Sequence, residues 1–239
     1  ADMFERVKRQ GVTTSLDMAK PDPDSDAGRQ NWEAILRRTL PYVDVFLPSF
    51  EELLFMLDRA DYDALERQHG PGGALKGADA DRLSRLSGML IGMGTAIVGI
   101  KLGEHGLYLR TSADASRLAA MGACAPADPA AWTGRELLAP CFRVDVAGTT
   151  GAGDCTIAGF LAGLLRGLSP ERTIIGAVAV GACNVERADA VSGVPDWETV
   201  QRRIAAGWER RATGLALHGW MRDAATGLCV GPGDAGLIR

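Results

Sequence analysis

Residues 142–166 restrict the fold of this chain more than any other stretch. An alternating run, FRVDV (142–146), leads into a glycine-rich loop, AGTTGAGD (147–154), and then into the apolar, small-residue run CTIAGFLAGLL. The first part predicts a strand, the last a buried helix over about 154–166, and the loop joins them. Gly148, Gly151 and Gly153 free the backbone to turn sharply and to approach a ligand closely. The first N–H groups of a helix have no intrahelical acceptors and carry the positive end of its dipole, so the loop predicts an anion site. It is not a Walker loop, because no Gly-Lys-Ser/Thr follows, and its GxxGxG spacing is not the GxGxxG of dinucleotide folds. Asp154 stands where the helix begins. From the residues alone it is either a helix cap or a base beside a transferring phosphoryl group.

The rest of the chain alternates strands with helices. Residues 1–10 read as helix, stopped by Gly11, and VTTSLDM (12–18) as a short strand. A turn-rich loop over 20–28 leads to a helix over 30–40, which Pro41 ends. VDVFL (43–47) reads as a strand, and Ser49 caps a helix at FEELLFML with Glu51 and Glu52 in its first turn. Residues 58–78 read as a polar, glycine-rich loop with a helical turn. A helix at 79–93 precedes the buried-strand run AIVGIKL and its partner GLYLR (106–110), joined by the turn Gly103–Gly106. Residues 111–141 read as a surface excursion with one edge strand, and helices follow at 170–187 and 196–211. The tail 212–239 has no clear pattern. This order predicts an α/β fold, a largely parallel sheet covered by helices on both faces. Ligands in such sheets sit beyond the carboxyl ends of the strands, here near residues 47, 101 and 146.

Composition narrows the function. Lys+Arg is 26 and Asp+Glu is 30, a net charge of −4, so the broad positive field that favours nucleic acid or anionic membranes is lacking. The arginine pairs 37–38, 202–203 and 210–211 read as solvated helix faces, and the tryptophans at 32, 132, 197, 208 and 220 as packing residues without a stacking array. Cys124, Cys141, Cys155, Cys183 and Cys229 are odd in number and form no CxxC, which fits a cytoplasmic location. His69, His105 and His218 are isolated, so no structural zinc is expected, and His105 reads as a solvent-facing loop residue. No run of about 18 apolar residues and no signal-peptide layout occurs. Ala1 opens directly into a helical pattern with no initiator Met, as expected of a chain that starts partway through a longer sequence.

Two further segments stand at the ends of predicted strands. KLGEHG (101–106) is either a plain hairpin turn or a turn laid against phosphates, with Lys101 as a point charge. PSFEE (48–52) is either a helix start with acidic residues near the dipole or a metal-holding element.

Together these segments resemble the PfkB (ribokinase-like) carbohydrate kinase family, whose C-terminal motif is usually DTTGAGD and here reads GTTGAGD. The resemblance extends over roughly residues 12–200. It implies a ribokinase-like three-layer αβα sandwich, read as one domain over 1–239, and an ATP-dependent kinase acting on a hydroxyl of a sugar or nucleoside. It implies Asp154 as the general base and Gly151, Ala152 and Gly153 as the backbone anion hole. KLGEHG resembles the family's [TK]-x-G-x-x-G turn, which places Lys101, Gly103 and Gly106 against the nucleotide phosphates. PSFEE resembles the PNxxE element, which gives Glu52 the task of holding Mg²⁺ through water, with Ser49 in place of Asn. CNVERADAVSGVP (183–195) resembles the stretch that closes over adenine, with Val178 and Ala182 lining the base slot. Gly148 replaces the family's leading Asp at a monovalent-cation site, keeping the carbonyl and losing the carboxylate; Asp145 is the nearest substitute. The early segments with the Gly-Gly sugar motif and the lid are not recognisable, and Asp17 is expected to be a remnant of the sugar side. The chain is therefore expected to be the nucleotide-binding portion, with a homodimer allowed and neither nucleic acid nor membrane as partner. The alternative is a non-catalytic nucleotide-binding or regulatory protein of the same fold.

Overall fold

A computed structural model describes residues 1–238. Helix α1 (Asp2–Lys8) precedes strand β1 (Ser15–Leu16), helix α2 (Trp32–Thr39) and strand β2 (Val45–Phe46). Helices α3 (Phe50–Leu57), α4 (Arg59–His69) and α5 (Ala80–Gly92) lead to strands β3 (Ile97–Lys101) and β4 (Leu107–Thr111). Two short helices, α6 (Ala115–Ala119) and α7 (Pro129–Trp132), come before strand β5 (Glu136–Ala139). Helices α8 (Ala152–Leu165), α9 (Pro170–Asn184) and α10 (Trp197–Ala205) follow, and strands β6 (Met221–Arg222) and β7 (Cys229–Val230) lie in the tail.

The seven strands form one sheet in the order β1-β2-β3-β4-β5-β7-β6. β1, β2 and β3 run parallel, while β3–β4, β4–β5, β5–β7 and β7–β6 are antiparallel. The expected α/β sandwich is present with a mixed sheet, because the turn 102–106 is too short for a parallel crossover. Side-chain alternation sorts the strands onto two cores. Val45, Ile97, Leu107, Leu109 and Leu137 face one side, with Phe160, Ile174 and Ala177 from α8 and α9. Phe46, Val98, Ile100, Tyr108 and Leu138 face the other, with Leu36, Leu53 and Leu86 from α2, α3 and α5.

Four expectations change. The helix expected over 196–211 ends at Ala205. Residues 58–78 hold α4, an eleven-residue helix that buries only Tyr62 and Leu65, too sparse a stripe to stand out from the polar run. The strand within 111–141 is β5, which is buried throughout and lies between β4 and β7 rather than at an edge. FRVDV is no strand of the sheet: Phe142 makes one isolated antiparallel bridge, to Arg210, and residues 143–146 are extended without a ladder. Its alternation is real, with Phe142 buried and Val144 half-buried while Arg143 and Asp145 are exposed, but the inward face meets a cavity and α9 rather than a neighbouring strand.

Candidate functional site

The parallel strands deliver three charged side chains to one end of the sheet. Asp17 follows β1, Lys101 ends β3, and Glu52 lies in the first turn of α3, just after β2. The crossing is tight here, with Lys101 N–H donating to the Pro48 carbonyl at 2.9 Å and Lys101 bridging Ser49. Lys101 Nζ donates to both carboxylate oxygens of Asp17, at 2.8 and 2.9 Å. Asp17 therefore holds the lysine, a partner 84 positions away that the expectation of a sugar-side remnant did not include. Glu52 forms a capping box: its Oε2 accepts the Ser49 N–H at 2.7 Å, and Ser49 Oγ accepts the Glu52 N–H at 3.3 Å. Burial pushes the Glu52 carboxyl above its ordinary value, opposed by the Ser49 N–H and by Lys101, with Asp17 adding to the rise.

Helix α8 approaches this cluster end-on. Its N-cap is Gly151, left-handed at φ 77°, and no side chain caps it. Every helix from α2 to α10 except α8 is capped by an Asn, Ser or Asp side chain. The Ala152 N–H goes to the Thr149 carbonyl at 3.2 Å, and the first-turn amides of Gly153 and Asp154 are left to a ligand. Asp154 is exposed in that first turn, so it is not the helix cap. Gly151 is required twice over: its φ is positive, and a Cβ would stand 2.5 Å from the Ala190 carbonyl oxygen. Gly153 leaves the lysine beside the helix end, since a Cβ there would lie 3.8 Å from Lys101 Nζ.

A cavity of about 320 Å³ opens beside this helix end. Lys101, Gly103, Gly106, Ala152, Gly153 and Ala182 all line it, as does Val178. Gly151, Asp154 and Glu52 do not line it. The cavity lining thus combines an ammonium and the start of α8 with apolar side chains, Phe142, Val144, Val178, Ala182 and Val185. α8 and α9 can stand this close because their contact is made by small residues. A Cβ at Gly181 would fall 2.3 Å from Thr156 Oγ1, and one at Gly159 2.9 Å from Ala177 Cα.

Several readings from the sequence are corrected here. Trp208 packs as expected, but on a ring: it stacks on Phe142 with centroids 4.4 Å apart and planes at 22°. Of the arginines read as solvated faces, Arg203 lies over Trp208 and Arg210 over Phe142, while Arg211 is exposed and also lines the cavity. His105 is half-buried, with Nδ1 hydrogen-bonded to the Thr213 carbonyl. Cys141 also lines the cavity, its thiol pushed up to about 11 by burial, which keeps it protonated and unreactive. Gly148 is fixed by its surroundings: a Cβ would sit 2.9 Å from Ala188 Cα, so the carboxylate that the resemblance places there has no room. Asp145 is exposed. No helix is long and apolar enough to cross a membrane among the described residues.

The family model described as pfkB family carbohydrate kinase matches residues 4–197. Among solved structures, ribokinase from Thermotoga maritima is similar at 23% identity and a TM-score of 0.52, covering 85% of this chain and 52% of that one. Ribokinase from Arabidopsis thaliana, solved with ribose and ATP, is similar at 20% identity and a TM-score of 0.56, covering 84% and 50%. Aminoimidazole riboside kinase from Salmonella enterica, solved with aminoimidazole riboside and an ATP analogue, is similar at 20% identity and 0.54, covering 84% and 55%. No curated protein matches the chain. The fold is ribokinase-like, and the chain spans about half the length of these structures.

Proposed function

We propose that this chain, which belongs to the pfkB family of carbohydrate kinases, holds ATP in the cavity beside α8 and transfers its terminal phosphoryl group to a hydroxyl of a sugar or nucleoside. The observation that carries this reading is the unsatisfied N-terminus of α8. Eight other helices satisfy their first-turn amides with a side chain; this one has a glycine N-cap, opens toward a lysine, and borders an apolar slot. Amides, dipole and ammonium together favour a polyphosphate, and the aliphatic and aromatic side chains of the lining suit a flat base.

The chemistry then follows from the chain's own groups. The Gly151 and Gly153 amides, joined by that of Ala152 when it exchanges the Thr149 carbonyl for a phosphate oxygen, stabilise charge that develops on the transferring phosphoryl group. Lys101, exchanging Asp17 for phosphate oxygens, anchors the polyphosphate. Asp154 stands on the exposed side of the same helix turn, where an acceptor hydroxyl can reach it. Its carboxylate takes the hydroxyl proton as the new oxygen–phosphorus bond forms and the bond to the leaving ADP breaks. Mg²⁺, when bound, neutralises charge on the phosphates. Glu52 is the carboxylate suited to hold it through water, standing beside Lys101 and Asp17 with its Oε2 accepting the Ser49 N–H.

The test is ATP binding by calorimetry together with ATP-dependent phosphorylation of a panel of pentoses, hexoses and nucleosides. Saturable binding and transfer to one acceptor class support the kinase; binding without transfer to any acceptor would leave a nucleotide-binding protein, and no binding would remove the reading.

A further inference from the structure

The family match ends at residue 197, yet Arg211, which comes after it, lines the cavity. Beyond α10 the chain turns back and runs along residues 141–143 as a short ribbon. The Arg143 N–H donates to the Glu209 carbonyl and the Arg211 N–H to the Cys141 carbonyl, both at 2.8 Å, and Phe142 bridges Arg210. The ribbon carries a column of alternating cations and rings. The Arg210 guanidinium lies 4.2 Å from the Phe142 centroid, Phe142 stacks on Trp208, and the Arg203 guanidinium lies 3.6 Å from the Trp208 ring. Glu186 pins Arg203 at 2.6 Å, and Trp208 Nε1 donates to the Arg143 carbonyl at 2.9 Å. Such a column is rigid, because each face is occupied and both ends are tied.

The same segment also reaches the neighbouring turn 103–106, which Cys141 Sγ contacts at the Gly103 carbonyl, 3.4 Å. Arg211 donates to Glu104 at 2.8 Å, the Thr213 carbonyl meets His105, and Gly214 lies against the His105 ring. Glu104 and Arg211 both line the cavity. One segment therefore touches both stretches, 141–143 by backbone and 103–106 by an ion pair plus the histidine contact.

We propose that residues 206–214 form a strap that walls the base-binding end of the cavity, and that Arg211 is a positioning residue closing it through Glu104. The proposal rests on the nucleotide reading of the cavity and adds the element that selects for a nucleobase over a bare polyphosphate. Phe142, held in place by the column, presents an apolar surface to the slot. The Arg211–Glu104 pair adds to the Cys141–Gly103 contact in fixing the turn 103–106 beside it. Both side chains of the pair are about half exposed, so the pair adds little to global stability and can open to admit a ligand.

A double-mutant cycle tests this on the full chain. ATP and inorganic tripolyphosphate are titrated into the wild type, Arg211→Ala, Glu104→Ala and the double variant, with circular dichroism to check folding. Each single change is expected to weaken ATP by about 3–10-fold, the double no more than either alone, and tripolyphosphate to stay within about 2-fold, as coupling across one ion pair requires. Glu104→Ala is the discriminating variant, because it makes the site more positive. If Arg211 merely attracts phosphates, Glu104→Ala tightens both ligands, and the strap proposal falls. It also falls if neither single change alters ATP binding or if the two effects add. A wild type that binds tripolyphosphate and not ATP overturns the strap as a base wall while leaving the anion site. A wild type that binds neither overturns the nucleotide reading, and the strap with it.

Discussion

Asp154 carries the chemical part of this account, and its place in α8 separates two roles that the sequence left open. The helix is started by Gly151, with Asp154 in the first turn and exposed. Asp154→Asn should therefore keep the fold, while kcat falls by about 10²–10⁴ if the carboxylate accepts the proton. The check is kcat and ATP Kd at one pH, and an Asn variant within a few fold of wild type would remove the base. Glu52 allows a similar separation. Glu52→Gln preserves the capping box, which accepts Gln as readily as Glu, so thermal stability should hold. The Mg²⁺ concentration needed for half-maximal activity should rise about tenfold, as for other outer ligands; an unchanged Mg²⁺ dependence would confine Glu52 to capping. At this scale the short-range signals were legible: GTTGAGD, KLGEHG and PSFEE each hold their residues within a few positions. Asp17 on Lys101 and Arg211 on Glu104 were not, because partners 84 and 107 positions apart leave no trace in a local pattern.

The α8–α9 contact decides how the cavity is shaped, and its glycines can be told apart from the idle ones. A Cβ at Gly159 would stand 2.9 Å from both Ala177 Cα and Val180 Cβ, whereas one at Gly88, exposed in α5, would meet nothing within 4 Å. Gly159→Ala should destabilise by about 1–3 kcal/mol through overpacking. Gly88→Ala should stabilise by about 0.5–1 kcal/mol through helix propensity alone. Opposite shifts in Tm check the pair, and a stabilised Gly159→Ala would contradict the packing. The loop 186–193, which packs on Gly148 and Gly151, is pinned by Asp189. The Ser192 hydroxyl and the N–H groups of Ser192 and Val191 hold its carboxyl down to about 2. A depressed carboxyl contributes stability above its ordinary range and loses it as pH falls through the folded value. The Val191 and Ser192 amide shifts should thus titrate with a midpoint near 2; a midpoint near the ordinary aspartate value of about 4 would mean the turn does not form in solution. Element identity was legible wherever periodicity was dense, as in α3, α5, α8 and β3. It failed at α4, with a sparse apolar stripe, and at FRVDV, whose alternation answers a cavity instead of a ladder.

Seen whole, the molecule places its parallel strands, its uncapped helix and its C-terminal strap around one cavity. The parallel part of the sheet brings Asp17, Glu52 and Lys101 together, and the tail closes the far side by pairing β7 with β5 and running past the turn after β3. The α/β class followed from the alternation of elements, while the antiparallel half and the strap depend on a tail without periodicity. The central claim is that Lys101 and the start of α8 together hold nucleotide phosphates. It is tested most directly by the ATP Kd of the wild type against Lys101→Met, measured by calorimetry in the same buffer. Loss of one charge-assisted hydrogen bond should weaken ATP by about tenfold or more, whereas equal affinities, or a wild type that does not bind ATP, would contradict the account.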